Sequence, residues 1–232
     1  MTEQERSAPP DPAPDAAGWG PVLGRPTTTL LLRHGETAMS TERRFAGRGD
    51  IALTKEGTRQ AASAARRLAK SGVDIIVSSP LQRARRTAEA VAEATGAAME
   101  VDDDLIEADF GAWEGLTFAE AGQRWPAELA AWMASPDAAP PEGESFAMVA
   151  LRVLGALDRL LDAHRHQTAV VVSHVTPIKT LVCRALLAPP EAMFRMNLDV
   201  ASLCRIDCFD SGAALLRSLN DTGHLQQRRR WA

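Results

Sequence analysis

Two histidines in this chain each follow directly after a short apolar run. Leu30-Leu31-Leu32 leads into Arg33 and His34, and the run at residues 169–173 ends at His174. If these runs form neighbouring strands of a parallel sheet, both imidazoles lie at its carboxyl edge, where open α/β sheets build their sites. Such a pair suits phosphoryl transfer through a histidine nucleophile.

Phosphoryl transfer needs more than a nucleophile. The oxygens of the phosphoryl group need cations and N–H donors around them, and the leaving alkoxide needs an acid. Arginine is favoured because its planar fork can hold two oxygens at once. The sequence offers Arg33 beside His34, Arg83 at a predicted helix start, Glu107 after a further predicted strand, and His174 as a second imidazole. No carboxylate cluster of metal-ligand type surrounds His34, so we expect neither a metal nor a cofactor.

The elements that would position these residues alternate along the chain. Apolar β-prone runs predict strands at residues 27–32, 75–77, 169–172, about 201–208 and 213–219, with a weaker candidate at 101 and 105–106. Helical spacing predicts helices at 55–70, 81–95, 145–164 and 176–187. Thr54 and Ser145 are the predicted N-caps, and Gly72 and Gly96 follow helix ends. This alternation predicts a three-layer α/β/α sandwich with a mostly parallel central sheet.

The domain organisation follows from proline placement. Residues 1–26 carry six of the 14 prolines, which predicts a disordered leader before a single domain at residues 27–222 and a tail at 223–232. Four further prolines break the helical pattern between residues 115 and 143. We interpret that stretch as a small inserted cap.

Composition limits the partners. A net charge of −4 gives no reason to expect nucleic acid, and the basic run at 228–230 is interpreted as a solvated tail. No apolar run approaches the roughly 18 residues of a membrane span, and the acidic, proline-rich start does not resemble a signal peptide. Cys183, Cys204 and Cys208 leave one thiol unpaired under any disulfide scheme, so a cytoplasmic protein with buried cysteines is expected. The expected partner is a small-molecule phosphate ester, with a homodimer left open.

Four segments carry a family resemblance. Residues 33–37 (Arg-His-Gly-Glu-Thr), 78–84, 107–115 and 173–174 resemble, in order, the motifs of the histidine phosphatase (phosphoglycerate mutase-like) superfamily. The likeness covers about residues 27–220. It is greatest to alpha-ribazole phosphatase-like enzymes and to the phosphatase half of actinobacterial ribonuclease H–acid phosphatase fusions. The resemblance implies a phosphoglycerate mutase-like fold.

The resemblance also implies roles for individual residues. His34 would be the nucleophile that becomes phosphohistidine. Arg33, Arg83 and His174 would form the phosphate pocket. Glu107 would protonate the leaving group and then assist the attack of water, and the arginines would neutralise charge without a metal.

Further phosphate contacts are implied for Thr37, Ser40 and Gly47, although this chain departs from the family pattern near them. Ser40 stands where the family often has asparagine, and Ala46 stands where glutamine or threonine commonly precedes the glycine. Val175 follows the second histidine in place of the usual glycine. These departures affect peripheral contacts.

Three functions compete: a phosphomonoesterase, a phosphoglycerate mutase, and a non-catalytic phospho-ligand-binding module. A binding module should have lost one of the five central residues, and all five are present. A mutase must grip a carboxylate and shield phosphohistidine from water, which calls for extra cations. Between residues 115 and 150 the only basic residue is Arg124, so we favour the phosphatase.

The substrate is not determined by the sequence. Tryptophans and few cations in the cap indicate a singly phosphorylated, partly apolar molecule. Even so, Trp113, Trp125, Trp132 and Phe118 are interpreted mainly as core and cap packing.

Overall fold

The computed structural model describes residues 24–225, so most of the predicted leader and of the predicted tail, including the basic run at 228–230, lies outside the described residues. Six strands form one sheet in the order β3-β2-β4-β1-β5-β6. The strands are β1 (Thr27–Arg33), β2 (Ile75–Ser78), β3 (Ala98–Val101), β4 (Thr168–Ser173), β5 (Leu203–Cys208) and β6 (Ala214–Asp221).

Seven α-helices accompany these strands in the described part of the chain. They are α1 (Ala38–Thr41), α2 (Lys55–Leu68), α3 (Gln82–Thr95), α4 (Phe118–Arg124), α5 (Pro126–Ala134), α6 (Phe146–Ala163) and α7 (Val175–Leu186). None of the helices within residues 24–225 combines the length and the apolar character that crossing a membrane would require.

The central strands are buried on both faces, and successive residues belong to different cores. Leu31 and Val171 pack with residues of α6 and α7, whereas Leu32 and Val170 pack with residues of α2 and α3. When a strand is covered on both faces, successive side chains must alternate between the two cores, as they do here. The three-layer α/β/α prediction is therefore confirmed.

Strand pairing brings the two histidines together. β1 and β4 pair in parallel with Arg33 opposite Ser173, so His34 and His174 both leave the sheet at the next position. β2 pairs in parallel with β3 and β4, while β5 runs antiparallel to β1 and β6 antiparallel to β5. The mostly parallel sheet and the adjacent histidine-bearing strands were both predicted from the apolar runs.

The weak strand candidate was partly wrong. β3 covers residues 98–101, but Leu105 belongs to a 3-10 helix, Asp103–Leu105, and Ile106 follows it outside any strand. The carboxylate of Asp102 accepts the backbone N–H of Asp104 at 2.9 Å and begins that turn. Aspartate side chains compete in this way with the ladder that a strand needs.

The predicted helix caps are present. The Thr54 hydroxyl accepts the Gly57 N–H at 2.9 Å, and the Ser145 hydroxyl accepts the Met148 N–H at 3.2 Å. Gly96 ends α3 in the left-handed conformation, with φ of 74°. The first of these helices ends at Leu68, two residues before the predicted end.

The proline-broken stretch at 115–143 contains α4 and α5. Thr117 and Glu120 form a capping box at the start of α4, and Pro126 is the first residue of α5. Arg44 ties this segment to the main body, because its guanidinium contacts the Glu120 carboxylate at 2.8 Å. All three cysteines are buried and free.

Leu68→Ala should test the packing of α2 on the sheet. Leu68 is 2% exposed and Leu151, on α6, is 81% exposed. We expect Leu68→Ala to lower the free energy of unfolding by about 2–5 kcal/mol, because it leaves a cavity. The control Leu151→Ala should change it by less than about 0.5 kcal/mol. Urea unfolding of both variants measures the difference, and equal losses would contradict this packing.

Candidate active site

His34 is the residue best placed to act as a nucleophile. Its Nδ1 lies 2.7 Å from the backbone carbonyl oxygen of Gly35, which can only accept, so Nδ1 carries the hydrogen. In the neutral ring the lone pair is then on Nε2. Burial, and then the charges of Arg33 and Arg83, hold the pKa of His34 well below 6.5. The imidazole is therefore neutral near pH 7 and lines an open cavity of about 320 Å³.

Glycines allow the chain to pack tightly behind this histidine. A Cβ on Gly35 would overlap the backbone carbonyl of Gly57, so β1 can approach the first turn of α2 only with glycine at these positions. The Gly35 N–H donates to the Thr87 hydroxyl of α3 at 3.2 Å. The turn after His34 is thereby fixed from both helices on that face of the sheet.

His174 lies beside His34, with ring centroids 5.1 Å apart, and is fully buried. Arg83 Nε donates to His174 Nδ1 at 3.2 Å, so the hydrogen is on Nε2, which donates to the Ser79 hydroxyl at 2.7 Å. Burial, followed by the neighbouring His34 and arginines, lowers the pKa of His174 well below 6.5. Both ring nitrogens are thus occupied by protein partners.

Arg83 is buried and does not line the cavity. Its guanidinium donates to the carbonyls of Ala46, Gly47 and Gly49 at 3.1, 2.8 and 2.7 Å. The Gly47 N–H donates to the Glu114 carboxylate at 2.8 Å. The structure therefore places Arg83 and Gly47 behind the cavity wall, where they hold one another, and not at its surface as the sequence analysis expected.

Arg33 does line the cavity. One guanidinium nitrogen donates to the Leu198 carbonyl at 2.6 Å, but Nε is buried with no hydrogen-bond partner among the described residues. A buried donor without an acceptor is costly. Burial lowers the pKa of Arg33 to about 10, which leaves the side chain charged at pH 7.

Thr37 and Ser40 also line the cavity, at the start of α1. The Ser40 hydroxyl donates to the Thr37 carbonyl at 2.8 Å and is therefore engaged in the helix cap. The Thr37 hydroxyl accepts the Ser40 N–H at 3.2 Å and retains its own hydrogen to donate. Of the two, Thr37 is the more available donor.

Glu107 reaches the cavity from the irregular segment after the 3-10 helix. Its carboxylate accepts N–H groups from Ala108 at 2.8 Å, Val175 at 3.1 Å and Thr176 at 3.2 Å. Two of these donors form the first turn of α7, where orphan N–H groups and the helix dipole favour an acidic group. The sequence placed Glu107 after a strand, and the structure places it at a helix N-terminus next to His174.

A partly buried arginine holds the segment that carries Glu107. Arg152, on α6, donates to the carbonyls of Asp104, Ile106 and Glu107 at 2.7, 2.6 and 3.0 Å. Arg152 also donates to the Glu144 carboxylate at 3.0 Å. Four acceptors from one side chain leave little freedom for the backbone at Glu107.

The sequence analysis missed several cations in the cavity wall. Arg43, Arg44 and Lys179 line the cavity, whereas Arg124, the cation counted in the cap, does not. Burial is the main cause of the lowered pKa of Lys179; the charge of Arg33 lowers it further and that of Glu107 raises it. Lys179 lies four residues after Val175 on α7, and that helical spacing could have identified it.

Most of the remaining bulk of the cavity wall is aromatic, beside the smaller or aliphatic side chains of Ala46, Val175, Thr176 and Met193. We call this set of rings the aromatic wall; its members are Phe45, Phe110, Phe118, Trp132, Phe146 and Phe194. Trp132 and Phe118 were interpreted from the sequence as core and cap packing, and they line the cavity as well. Trp113 and Trp125 do not line it, and Trp113 is fully buried.

Comparison with known proteins now identifies the family. Residues 29–222 match the model of the histidine phosphatase superfamily (branch 1), and the chain belongs to that family. The chain is 46% identical over 230 residues to the bifunctional protein Rv2228c of Mycobacterium tuberculosis, covering 96% of this chain and 63% of that protein. This chain therefore spans less than two thirds of the length of that relative.

Two further relatives carry more specific names. Phosphoserine phosphatase 1 of Hydrogenobacter thermophilus is 34% identical over 197 residues, covering 84% of this chain and 93% of that one. The structure of a mycobacterial glucosyl-3-phosphoglycerate phosphatase in complex with VO3 superimposes with a TM-score of 0.78 at 31% identity. That match covers 84% of this chain and 100% of the other. The fold and the family predicted from the four motifs are both confirmed.

Folding stability should depend on pH through His174. A buried histidine with a lowered pKa binds a proton more readily in the unfolded chain, so stability is fully present above pH 6.5 and falls as the pH drops below it. In His174→Asn, the slope between pH 6 and 5 should be smaller by up to about 1.4 kcal/mol per pH unit. Urea unfolding at pH 7, 6 and 5 measures this, and identical slopes would contradict a neutral buried His174.

Proposed function

We propose that this chain is a metal-independent phosphomonoesterase that hydrolyses a small phosphate ester through a phosphohistidine on His34. The observation that supports this best is the 2.7 Å contact between His34 Nδ1 and the Gly35 carbonyl, which assigns the hydrogen to Nδ1 and leaves the lone pair of Nε2 available to act as a nucleophile. This nitrogen belongs to a neutral ring in a cavity that is also lined by Arg33, whose guanidinium is charged at pH 7. A nucleophile and an anion-binding donor on the same cavity wall fit phosphoryl transfer.

The first step transfers the phosphoryl group to the protein. Arg33 and Thr37 donate to the phosphoryl oxygens, and His34 Nε2 attacks phosphorus in line with the ester oxygen. The P–O ester bond breaks, and Glu107 in its protonated form gives the proton to the departing oxygen. The products of this step are the free alcohol, phosphohistidine and the Glu107 carboxylate.

The second step releases inorganic phosphate. Glu107, now a carboxylate, takes a proton from a water molecule as that water attacks the phosphohistidine. The P–N bond breaks and His34 returns to its neutral form. Arg83 and His174 do not contact the cavity in this arrangement, and in our proposal they act as positioning residues that hold His34 and the loop at residues 46–49.

Several observations support hydrolysis of a monoester. The names of the two more specific relatives, a phosphoserine phosphatase and a glucosyl-3-phosphoglycerate phosphatase, describe proteins that act on phosphate monoesters. Positive charge for a dianionic phosphate is available from Arg33, with Arg83 behind it and Lys179 nearby, so the chain can neutralise the phosphate with its own side chains. A mutase remains the alternative, and it is distinguished by where the phosphoryl group goes.

A phosphoenzyme experiment tests the proposal directly. The chain is mixed with a ³²P-labelled monoester in the presence of EDTA and quenched rapidly without acid. Label should be trapped on His34, and labelled inorganic phosphate should appear as the label on His34 is lost. His34→Ala should show neither the label nor the release. Label on another residue, restoration of activity only by added magnesium, or transfer of label to a second organic acceptor would each overturn the proposal.

Glu107→Gln tests the acid. A poor leaving group needs the proton far more than a good one, so kcat/KM for an alkyl phosphate should fall about 100-fold or more. The loss should be much smaller for p-nitrophenyl phosphate in the phosphorylation step, because nitrophenolate leaves without a proton.

Two sets of variants serve as controls for this test. Arg83→Ala should lower kcat/KM for both substrates to the same degree. Arg83 holds His174 and the loop at residues 46–49, and the turnover of every substrate depends on that arrangement. Asp109→Asn and Glu114→Gln replace neighbouring carboxylates. If Glu107→Gln impairs both substrates equally and one of these two shows the leaving-group effect instead, the acid is that residue and not Glu107.

A further inference from the structure

Aromatic side chains are concentrated in one cavity of this protein. The chain has six phenylalanines and no tyrosine, and five of the six phenylalanines line the cavity beside His34. Trp132 contacts all five, with ring centroids between 4.6 and 6.5 Å apart. The aromatic wall is therefore one continuous surface with no hydroxyl group on it.

The exposure of two of these rings is not explained by packing within the domain. Phe110, Trp132 and Phe146 are buried and belong to the core below the sheet. Phe118 is 45% exposed and Phe194 is 40% exposed, although they come from distant parts of the chain. Both rest against Trp132, at 6.4 and 5.4 Å. Exposed apolar side chains that line one cavity are typical of a ligand-binding surface.

The charged groups of the cavity differ in how they are engaged: Arg44 is paired with carboxylates, whereas Arg43 is exposed and forms no ion pair among the described residues. Arg44 forms ion pairs with Glu42 at 2.7 Å and with Glu120 at 2.8 Å. Lys179 lines the same cavity as Arg33 and Glu107. Apart from these three residues and Arg44, the cavity lining offers six aromatic rings and one further cation, Arg43, so rings predominate over charges.

We propose that the alcohol released by this enzyme is a flat apolar ring system, held against Trp132 between the exposed rings of Phe118 and Phe194. The inference rests on the proposed phosphatase function and specifies its substrate class. Stacked and edge-on ring contacts favour aromatic groups over alkyl chains of the same area. The chemistry is unchanged: the ester oxygen leaves with the ring-bearing alcohol and takes its proton from Glu107.

Matched primary alcohols separate binding from leaving-group acidity. The test series is ethyl, butyl, hexyl, 2-phenylethyl and 2-(2-naphthyl)ethyl phosphate, whose ester oxygens are similar alkoxides. We expect kcat/KM to rise along the series, with the naphthyl compound roughly 10-fold or more above ethyl phosphate, and above hexyl phosphate as well. A flat profile across the series would overturn the proposal.

Two variants assign the effect to the aromatic wall. In Phe118→Ala and in Phe194→Ala, the ratio of kcat/KM for the naphthyl compound to that for ethyl phosphate should fall by roughly 10-fold. The control is Leu151→Ala, which removes an exposed apolar side chain on α6 and should leave that ratio unchanged. A ratio that stays constant in both phenylalanine variants would contradict a role for these rings.

A competing substrate class carries a carboxylate in place of the ring. Dissociation constants measured by calorimetry on the His34→Ala chain compare the naphthyl compound with phosphoserine in the absence of turnover. Tighter binding of the naphthyl compound supports the proposal. Tighter binding of phosphoserine, lost in an added Lys179→Met change, would overturn it in favour of an anionic leaving group. If the proposed phosphatase function itself is wrong, the wild-type chain will form no phosphohistidine, and the labelling experiment shows this separately.

Discussion

The structure depends on two guanidinium groups beside two imidazoles, with Arg83 fully buried and Arg33 partly buried at the cavity wall. Burial lowers the pKa of Arg33 and of Arg83, and a buried cation is tolerated only when acceptors surround it. Arg83 finds backbone carbonyls from the loop at 46–49 and the Nδ1 of His174, which fixes both that loop and the tautomer of the ring. Burial, together with the same positive charges, keeps His34 neutral. The two guanidinium groups therefore fix the loop at 46–49 and the tautomer of His174, and they contribute to the neutral state of His34, the nucleophile in our proposal.

Arg33 differs from Arg83 in a way that matters for ligand binding. Arg83 is saturated by protein acceptors, whereas Arg33 retains a buried Nε without a partner among the described residues. With Lys179 nearby and Glu107 as the carboxylate of the same cavity, cations outnumber anions at this end. A dianionic phosphoryl group would balance this charge. The excess of positive charge in the cavity therefore favours the binding of phosphate.

The sequence was most informative where a strand ends. The apolar runs before His34 and His174 predicted two buried parallel strands, and pairing of neighbouring strands is enough to bring the two rings to 5.1 Å. The sequence was least informative about contacts between segments that show no helical or strand periodicity. Arg83 contacts carbonyls more than thirty residues away, and backbone carbonyls carry no residue-specific signal. The aromatic wall was missed for another reason: Trp132 serves both the core and the cavity, and a pattern of apolar residues cannot distinguish the two.

The failed strand prediction before Glu107 also has a physical meaning. In a strand, successive carbonyls point to opposite sides, and one arginine could not reach those of residues 104, 106 and 107. The 3-10 turn and the extended residues after it turn these three carbonyls toward Arg152, while the Glu107 carboxylate reaches the first turn of α7. In our proposal Glu107 is the acid that meets the leaving oxygen, and such an acid needs a fixed position, since small misplacements are costly to catalysis. The irregular segment provides that position because its carbonyls bond to the guanidinium of Arg152 and not to a neighbouring strand.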